Sequence, residues 1–149
     1  YSKRISQIAK LFNDAKIYTK ITENINGFIW GKLLVNVGIN ALTAITKLKN
    51  GQILEHPELE ELMDMAVNEA YQVAKAKGIK IPYTDPIMHT KKICNVTAQN
   101  NSSMLQDILK HKKTEINMLN GAIVKEGEKL GIQVPINKML TNLVLAIQK

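Results

Sequence analysis

The run Trp30-Gly31-Lys32-Leu33-Leu34-Val35-Asn36-Val37-Gly38-Ile39-Asn40-Ala41-Leu42-Thr43-Ala44-Ile45 sets the architecture expected of this chain. At about 100° per residue, its leucines, valines, alanines and isoleucines spread over most of a helix circumference. A helix that is apolar nearly all round is a buried one, so this segment, read as helical from Asn26 to about Leu48, belongs in the middle of a bundle. Its polar members Lys32, Asn36, Asn40 and Thr43 fall within a wedge about 80° wide, each Lys-Asn-Asn step advancing about 6 Å. An amine and two amides facing a dry interior cost several kcal/mol unless partners satisfy them. Two readings follow. Either the stripe lines a polar cleft that meets a ligand, or Lys32 snorkels to solvent while Asn36 and Asn40 bond neighbouring backbone. The first carries definite chemistry: an ammonium can protonate an oxygen that is becoming an alkoxide, and amides one and two turns on can orient the substrate, as carbonyl reduction requires.

Outward from that run, composition narrows the class. The chain has 149 residues, of which 45% are apolar and 22% charged, enough for one domain with a sizeable core and too apolar for wholesale disorder. Leu33 to Ile45, interrupted by Asn36, Asn40 and Thr43, falls short of a span of about 20 residues, so no membrane partner is expected. The single Cys94 cannot form an internal disulfide, and no signal peptide opens the sequence. A reducing, cytoplasmic setting is expected. The net charge of +7 raises nucleic acid as a partner, but Arg4 is the only arginine and aromatics are 5%. The densest basic run, Lys110-His111-Lys112-Lys113, reads as a solvated loop. No nucleic-acid partner is expected; the positive excess suits a small anionic ligand.

Along the chain, Ser6 to Phe12 shows helical spacing, and Ile17-Tyr18-Thr19-Lys20-Ile21 alternates like a short strand. Asn50-Gly51 marks a turn, Pro57 starts a helix running to Lys77, and Gly78 with Pro82 ends it. Gly131-Ile132-Gln133-Val134-Pro135 repeats the form of Gly78-Ile79-Lys80-Ile81-Pro82. Asp85 to Thr97, Ser103 to Leu109, Thr114 to Leu130 and Ile136 to Gln148 read as helices, so everything after residue 24 is expected to be α. His56, His89 and His111 have no spacing that converges on a metal, and none is expected. Cys94 and Met63, Met65, Met104, Met118 and Met139 read as core.

Lys32, Asn36 and Asn40, preceded by Trp30 and followed by Ala-Leu-Thr-Ala, resemble the opening of the C-terminal helical domain of the ketopantoate reductases (2-dehydropantoate 2-reductases). A second run, Asn100-Asn101-Ser102-Ser103-Met104-Leu105-Gln106-Asp107 followed by Thr114-Glu115-Ile116-Asn117 and Leu119-Asn120-Gly121, resembles that family's other signature at the family's spacing. The likeness spans residues 24 to 149. It implies an all-α, multi-helix bundle of the 6-phosphogluconate-dehydrogenase C-terminal-like type, with residues 1–23 a helix-strand remnant of an N-terminal Rossmann domain. It further implies NADPH-dependent reduction of 2-dehydropantoate to pantoate, a step toward pantothenate and coenzyme A, between two domains. Carried over by position, Lys32 is the proton donor, and Asn36, Asn40, Asn50, Asn100 and Ser103 bind substrate. Asn101 and Ser102 lie in the same binding segment, and Glu115 contacts the nicotinamide end of NADP(H).

Each assignment has a structural counterpart. Ser102 or Ser103 can cap a helix, with Gln106 completing a capping box from Ser103. Thr114 can cap the next, where Glu115 complements the helix dipole. The wider β-hydroxyacid dehydrogenase group also carries Lys-x-x-x-Asn on a central helix, so another 2-keto-acid or β-hydroxyacid dehydrogenase is the neighbouring reading, and a non-catalytic helical interaction module is a third. One departure bears on activity. The family binds NADP(H) mainly through an N-terminal Gly-x-Gly-x-x-Gly domain, and this sequence contains no Gly-x-Gly. It opens on Tyr1, so it is expected to be a piece of a longer enzyme and inactive alone. A homodimer is compatible with the chain, and no sequence feature specifies it.

Overall fold

A computed structural model describes residues 2–148. The order of α-helices is α1 Lys3–Asp14, α2 Ile25–Thr46, α3 Pro57–Ala76, α4 Pro86–Val96, α5 Ser103–Leu109, α6 Asn120–Leu130 and α7 Pro135–Ile147, with 3₁₀ turns at Asn50–Glu55 and Ile116–Met118. The all-α class is as expected.

α2 occupies the centre, packed by α3, α4, α5 and α7. Leu34, Val37, Ala41 and Ala44 are fully buried on it, facing Met63, Val67 and Ala70 of α3 and Leu140 and Val144 of α7 in one core. By length and composition α2 is apolar enough to cross a bilayer, which corrects the shorter estimate drawn from Leu33–Ile45. Most of it lies inside the bundle, and that burial accounts for its apolar surface. Gly38 lets α3 approach: a Cβ there would stand 2.7 Å from Val67 Cγ2.

The ends of the helices follow local chemistry. Asn24 accepts from the Gly27 N–H at 3.1 Å and donates to the Lys80 carbonyl at 2.7 Å, tying the start of α2 to the segment after α3. Gly78 and Gly131 close α3 and α6 with left-handed φ values of +69° and +68°, and in both the following isoleucine N–H reaches back to Ala74 or Gly127, a Schellman-type ending. The two five-residue runs diverge at their prolines: Pro135 begins α7, whereas the chain after Pro82 turns until Pro86 begins α4.

Three expectations are corrected, and one pair of alternatives, the capping serine, is decided. Ile17–Ile21 is extended coil and not a strand. A strand exists through its ladder, and no strand occurs among the described residues; the Asn13 side chain instead clasps the Thr19 backbone N–H and carbonyl, each at 2.9 Å. The helix expected over Thr114–Leu130 breaks at Leu119, whose φ −106°, ψ −100° backbone turns both Leu119 and Asn120 inward. Ser102, not Ser103, caps α5, accepting from Leu105 N–H at 3.1 Å. Met63 and Met104 are core, but Met65, Met118 and Met139 are exposed.

The fully buried Asn120 and Asn137 anchor a polar network that spans four helices. Asn120 donates to the Val37 carbonyl of α2 and to Asn137 Oδ1, each at 3.1 Å. Asn137 donates to the Ala66 carbonyl at 3.0 Å and to Glu69 Oε2 at 2.7 Å. The Glu69 carboxylate accepts the Ile136 and Asn137 N–H groups, capping α7.

Candidate functional site

Burial along the polar stripe of α2 is graded. Lys32 is exposed and Asn36 half-buried, whereas Asn40 is 5% and Thr43 0% exposed. The stripe therefore enters from solvent at Lys32 and runs about 12 Å along the helix to Asn40. Thr43 ends it as a structural residue: its hydroxyl bonds the Ile39 carbonyl at 3.0 Å and lies 2.7 Å from Ser102 Oγ. Asn40 Nδ2 donates to Ser103 Oγ at 3.4 Å. The exposure of Lys32 is common to both readings of the stripe, and Asn40 bonds a side chain across the bundle where the structural reading has neighbouring backbone. Lys32 and Asn36 make no side-chain hydrogen bond or ion pair among the described residues, and both face an open groove of about 520 Å³.

The remaining candidates separate. Asn50 is buried, its N–H on the Asn100 carbonyl at 3.0 Å and its amide donating to Thr97 Oγ1 at 3.0 Å, while its Oδ1 is buried without a partner. It joins the turn after α2 to the Asn100–Ser103 turn. Asn100 and Asn101 are exposed, the Asn101 carbonyl accepting from the Gln106 amide at 3.0 Å. Glu115 is exposed at the start of the 3₁₀ turn, and its side chain makes no hydrogen bond or ion pair to the stripe among the described residues. Thr114 is held by Gln148 Oε1, its hydroxyl at 2.6 Å, and its own Oγ1 meets the Ile116 N–H at 3.4 Å. Asn120, part of the second signature, belongs to the buried polar set.

Sequence reasoning missed the wall of the groove beside Lys32. Phe28, Val35, Tyr83, His89 and Ile93 line it. The readable signal was Gly31, since a glycine inside a helix costs about 1 kcal/mol and implies that something comes close; a Cβ there would collide with the Tyr83 hydroxyl. Burial pushes the Tyr83 phenol up to about 12. Burial, helped by Lys92, pulls His89 below its ordinary value of 6.5. Cys94 lies in the core, its thiol pushed up to about 11 by burial, which leaves it an unreactive packing residue. No cluster of His, Cys, Asp and Glu able to hold a metal occurs among the described residues.

Comparison with known proteins places this geometry. Residues 24–148 match the family described as ketopantoate reductase PanE/ApbA C terminal. The 2-dehydropantoate 2-reductase of Archaeoglobus fulgidus is 37% identical over 147 residues, covering 99% of this chain and 49% of that protein. A PanE/ApbA family ketopantoate reductase from Ralstonia eutropha superposes with a TM-score of 0.93 at 35% identity, over 99% of this chain and 49% of its own. D-mandelate dehydrogenase in ternary complex with NADH and anilino(oxo)acetate superposes with a TM-score of 0.89 at 27% identity, over 97% of this chain and 48% of its own. The chain spans about half the length of the relatives it matches.

Proposed function

The chain belongs to the ketopantoate reductase C-terminal family, and from that membership we propose that residues 24–149 are the substrate-binding half of an NADPH-dependent 2-dehydropantoate 2-reductase. Residues 1–23 are then the tail of the preceding dinucleotide-binding domain, and the substrate is a small anionic keto acid handled in the cytoplasm. The observation that carries this reading is the graded stripe: an unpaired ammonium and amide open onto a groove, and the next amide touches the serine-bearing turn.

In this reading Lys32 attracts the anionic substrate and gives its proton to the ketone oxygen as that oxygen gains charge. Asn36, unpaired at the groove, offers both amide donors and a carbonyl acceptor to orient the acid. Asn40 and Ser103, linked to each other, extend the binding surface toward Asn100 and Asn101. Asn50 positions that surface through the Asn100 backbone, and Ser102 holds the turn against Thr43. NADP(H), when bound, supplies the hydride. The chain has no glycine-rich loop for the dinucleotide, and its one fitting contribution is Glu115, an exposed carboxylate whose side chain makes no hydrogen bond or ion pair among the described residues.

In the full-length enzyme Lys32→Ala is expected to lower kcat by about 10²-fold or more, the usual loss for a positioned acid, with Asn40→Ala acting mainly on KM. An unchanged kcat for the lysine variant removes it from the mechanism. A second reading, reduction of a different 2-keto acid, is favoured by one observation: the groove beside Lys32 is walled largely by carbon, and the structurally similar D-mandelate dehydrogenase holds anilino(oxo)acetate. A panel of 2-keto acids against 3-hydroxy acids separates these readings from the wider β-hydroxyacid group.

A further inference from the structure

Tyr83 and His89 stand in the groove that Lys32 faces and have no part in the proton transfer above. Their rings stack, 3.9 Å between centroids and 14° from parallel. The pair is placed by two elements: His89 lies on α4, and Tyr83 sits on the turn between Pro82 and α4, its hydroxyl end lodged against Gly31. Glycine one residue before Lys32 is therefore what admits the tyrosine so close to α2. The hydroxyl is buried and has no partner, so it is the ring that Tyr83 offers to the groove. Both rings are disfavoured as ions: burial pushes the phenol up to about 12, and burial, helped by Lys92, pulls the imidazole below its ordinary value. Val35 and Ile93 continue the same carbon surface. An ammonium and a flat aromatic wall lining one groove suit a molecule that is anionic at one end and apolar at the other.

We propose that the Tyr83–His89 stack is the specificity wall of the substrate groove, limiting the size of the apolar substituent that a 2-oxo acid carries next to its ketone. Tyr83 touches that substituent; His89 is a positioning residue that fixes the tyrosine ring. The proposal rests on the reductase reading and deepens it.

The test is kcat/KM of the full-length enzyme with NADPH on three 2-oxo acids whose substituents are ethyl, tert-butyl and phenyl. Contacts of this kind discriminate by factors of about 10 to 200 per methylene-sized change. Tyr83→Leu and His89→Ala are each expected to shift the phenyl-to-ethyl ratio by about tenfold or more toward phenyl. Tyr83→Phe and His89→Phe, which keep a stacked pair, are expected to hold that ratio within about threefold of wild type. Thermal unfolding of each variant shows whether it is folded, and Tyr83→Leu keeps enough bulk to pack if the alanine variant does not. Ratios that stay at the wild-type value in folded Tyr83→Leu or His89→Ala overturn the wall while leaving the reductase reading intact. A wild-type enzyme that reduces none of the three acids, nor 2-dehydropantoate, overturns the reductase reading and the wall with it.

Discussion

Ser102 and Ser103 are adjacent hydroxyls with opposite duties. Ser102 Oγ accepts the Leu105 N–H and lies 2.7 Å from Thr43 Oγ1. Thr43 also reaches the Ile39 and Asn40 carbonyls of its own helix, and either hydroxyl can donate in its contact with Ser102. Removing Ser102 uncaps α5 and takes one partner from the buried Thr43 hydroxyl. Ser102→Ala is expected to cost about 1–2 kcal/mol, read from urea denaturation. Ser103 is exposed and makes one long contact, to Asn40 at 3.4 Å. Ser103→Ala is expected to stay within about 0.5 kcal/mol of wild type and to raise KM in the full-length enzyme. The reverse pattern would move the substrate contact to Ser102. Local rules find a capping serine here but cannot choose between the two, because the choice is made by Thr43, 59 residues away in the chain. The same limit applies to Tyr83 and His89, whose meeting with Gly31 depends on how α2 and α4 pack.

Among the elements, α2 was legible because its signal is redundant: any rotation of an all-round apolar helix still buries it. The Gly-Ile-x-x-Pro endings were legible because a left-handed glycine followed by proline is a local device. Ile17–Ile21 failed for the complementary reason, since alternation describes a strand's faces and not whether a neighbour exists to bond it. The buried Asn120–Asn137–Glu69 set was illegible, each member reading as an ordinary surface residue. Its importance can be measured at Asn137, which is fully buried and serves α3, α6 and its own helix at once. Asn137→Ala takes a partner from the Ala66 carbonyl and from Asn120 in the core, and one of two from the half-buried Glu69 Oε2, which keeps the backbone N–H. A loss of about 2–4 kcal/mol is expected from unsatisfied buried groups, some of them charged. A loss below about 0.5 kcal/mol, the surface range, would show that the core relaxes around the cavity.

For the whole molecule, the unequal relation of α1 to the rest carries the last expectation. None of its residues is buried, and Ile5, Ile8, Leu11 and Phe12 stand exposed, although they form a regular apolar stripe. A 12-residue helix without tertiary packing is marginal in water, where isolated helices need about 12–15 residues even in favourable sequences. The apolar core, by contrast, runs from Leu34 to Val144, all within the part that matches the helical-domain family. Deleting residues 1–23 should therefore leave the thermal midpoint within about 2 °C, since 1 kcal/mol in a domain of this size moves it by several degrees, and should reduce any self-association that the exposed stripe causes. Asn24 is retained in that deletion, so the cap of α2 and its bond to Lys80 survive. If the proposed division of labour holds, neither the 149-residue chain nor the shortened one should reduce 2-dehydropantoate with NADPH, because that division assigns the dinucleotide to the other half of the enzyme. A midpoint that falls by more than about 5 °C on deletion would mean that α1 packs on the bundle in solution. Turnover by the 149-residue chain at a normal enzymatic rate would mean that the helical half binds cofactor by itself, against the division of labour proposed for the two domains.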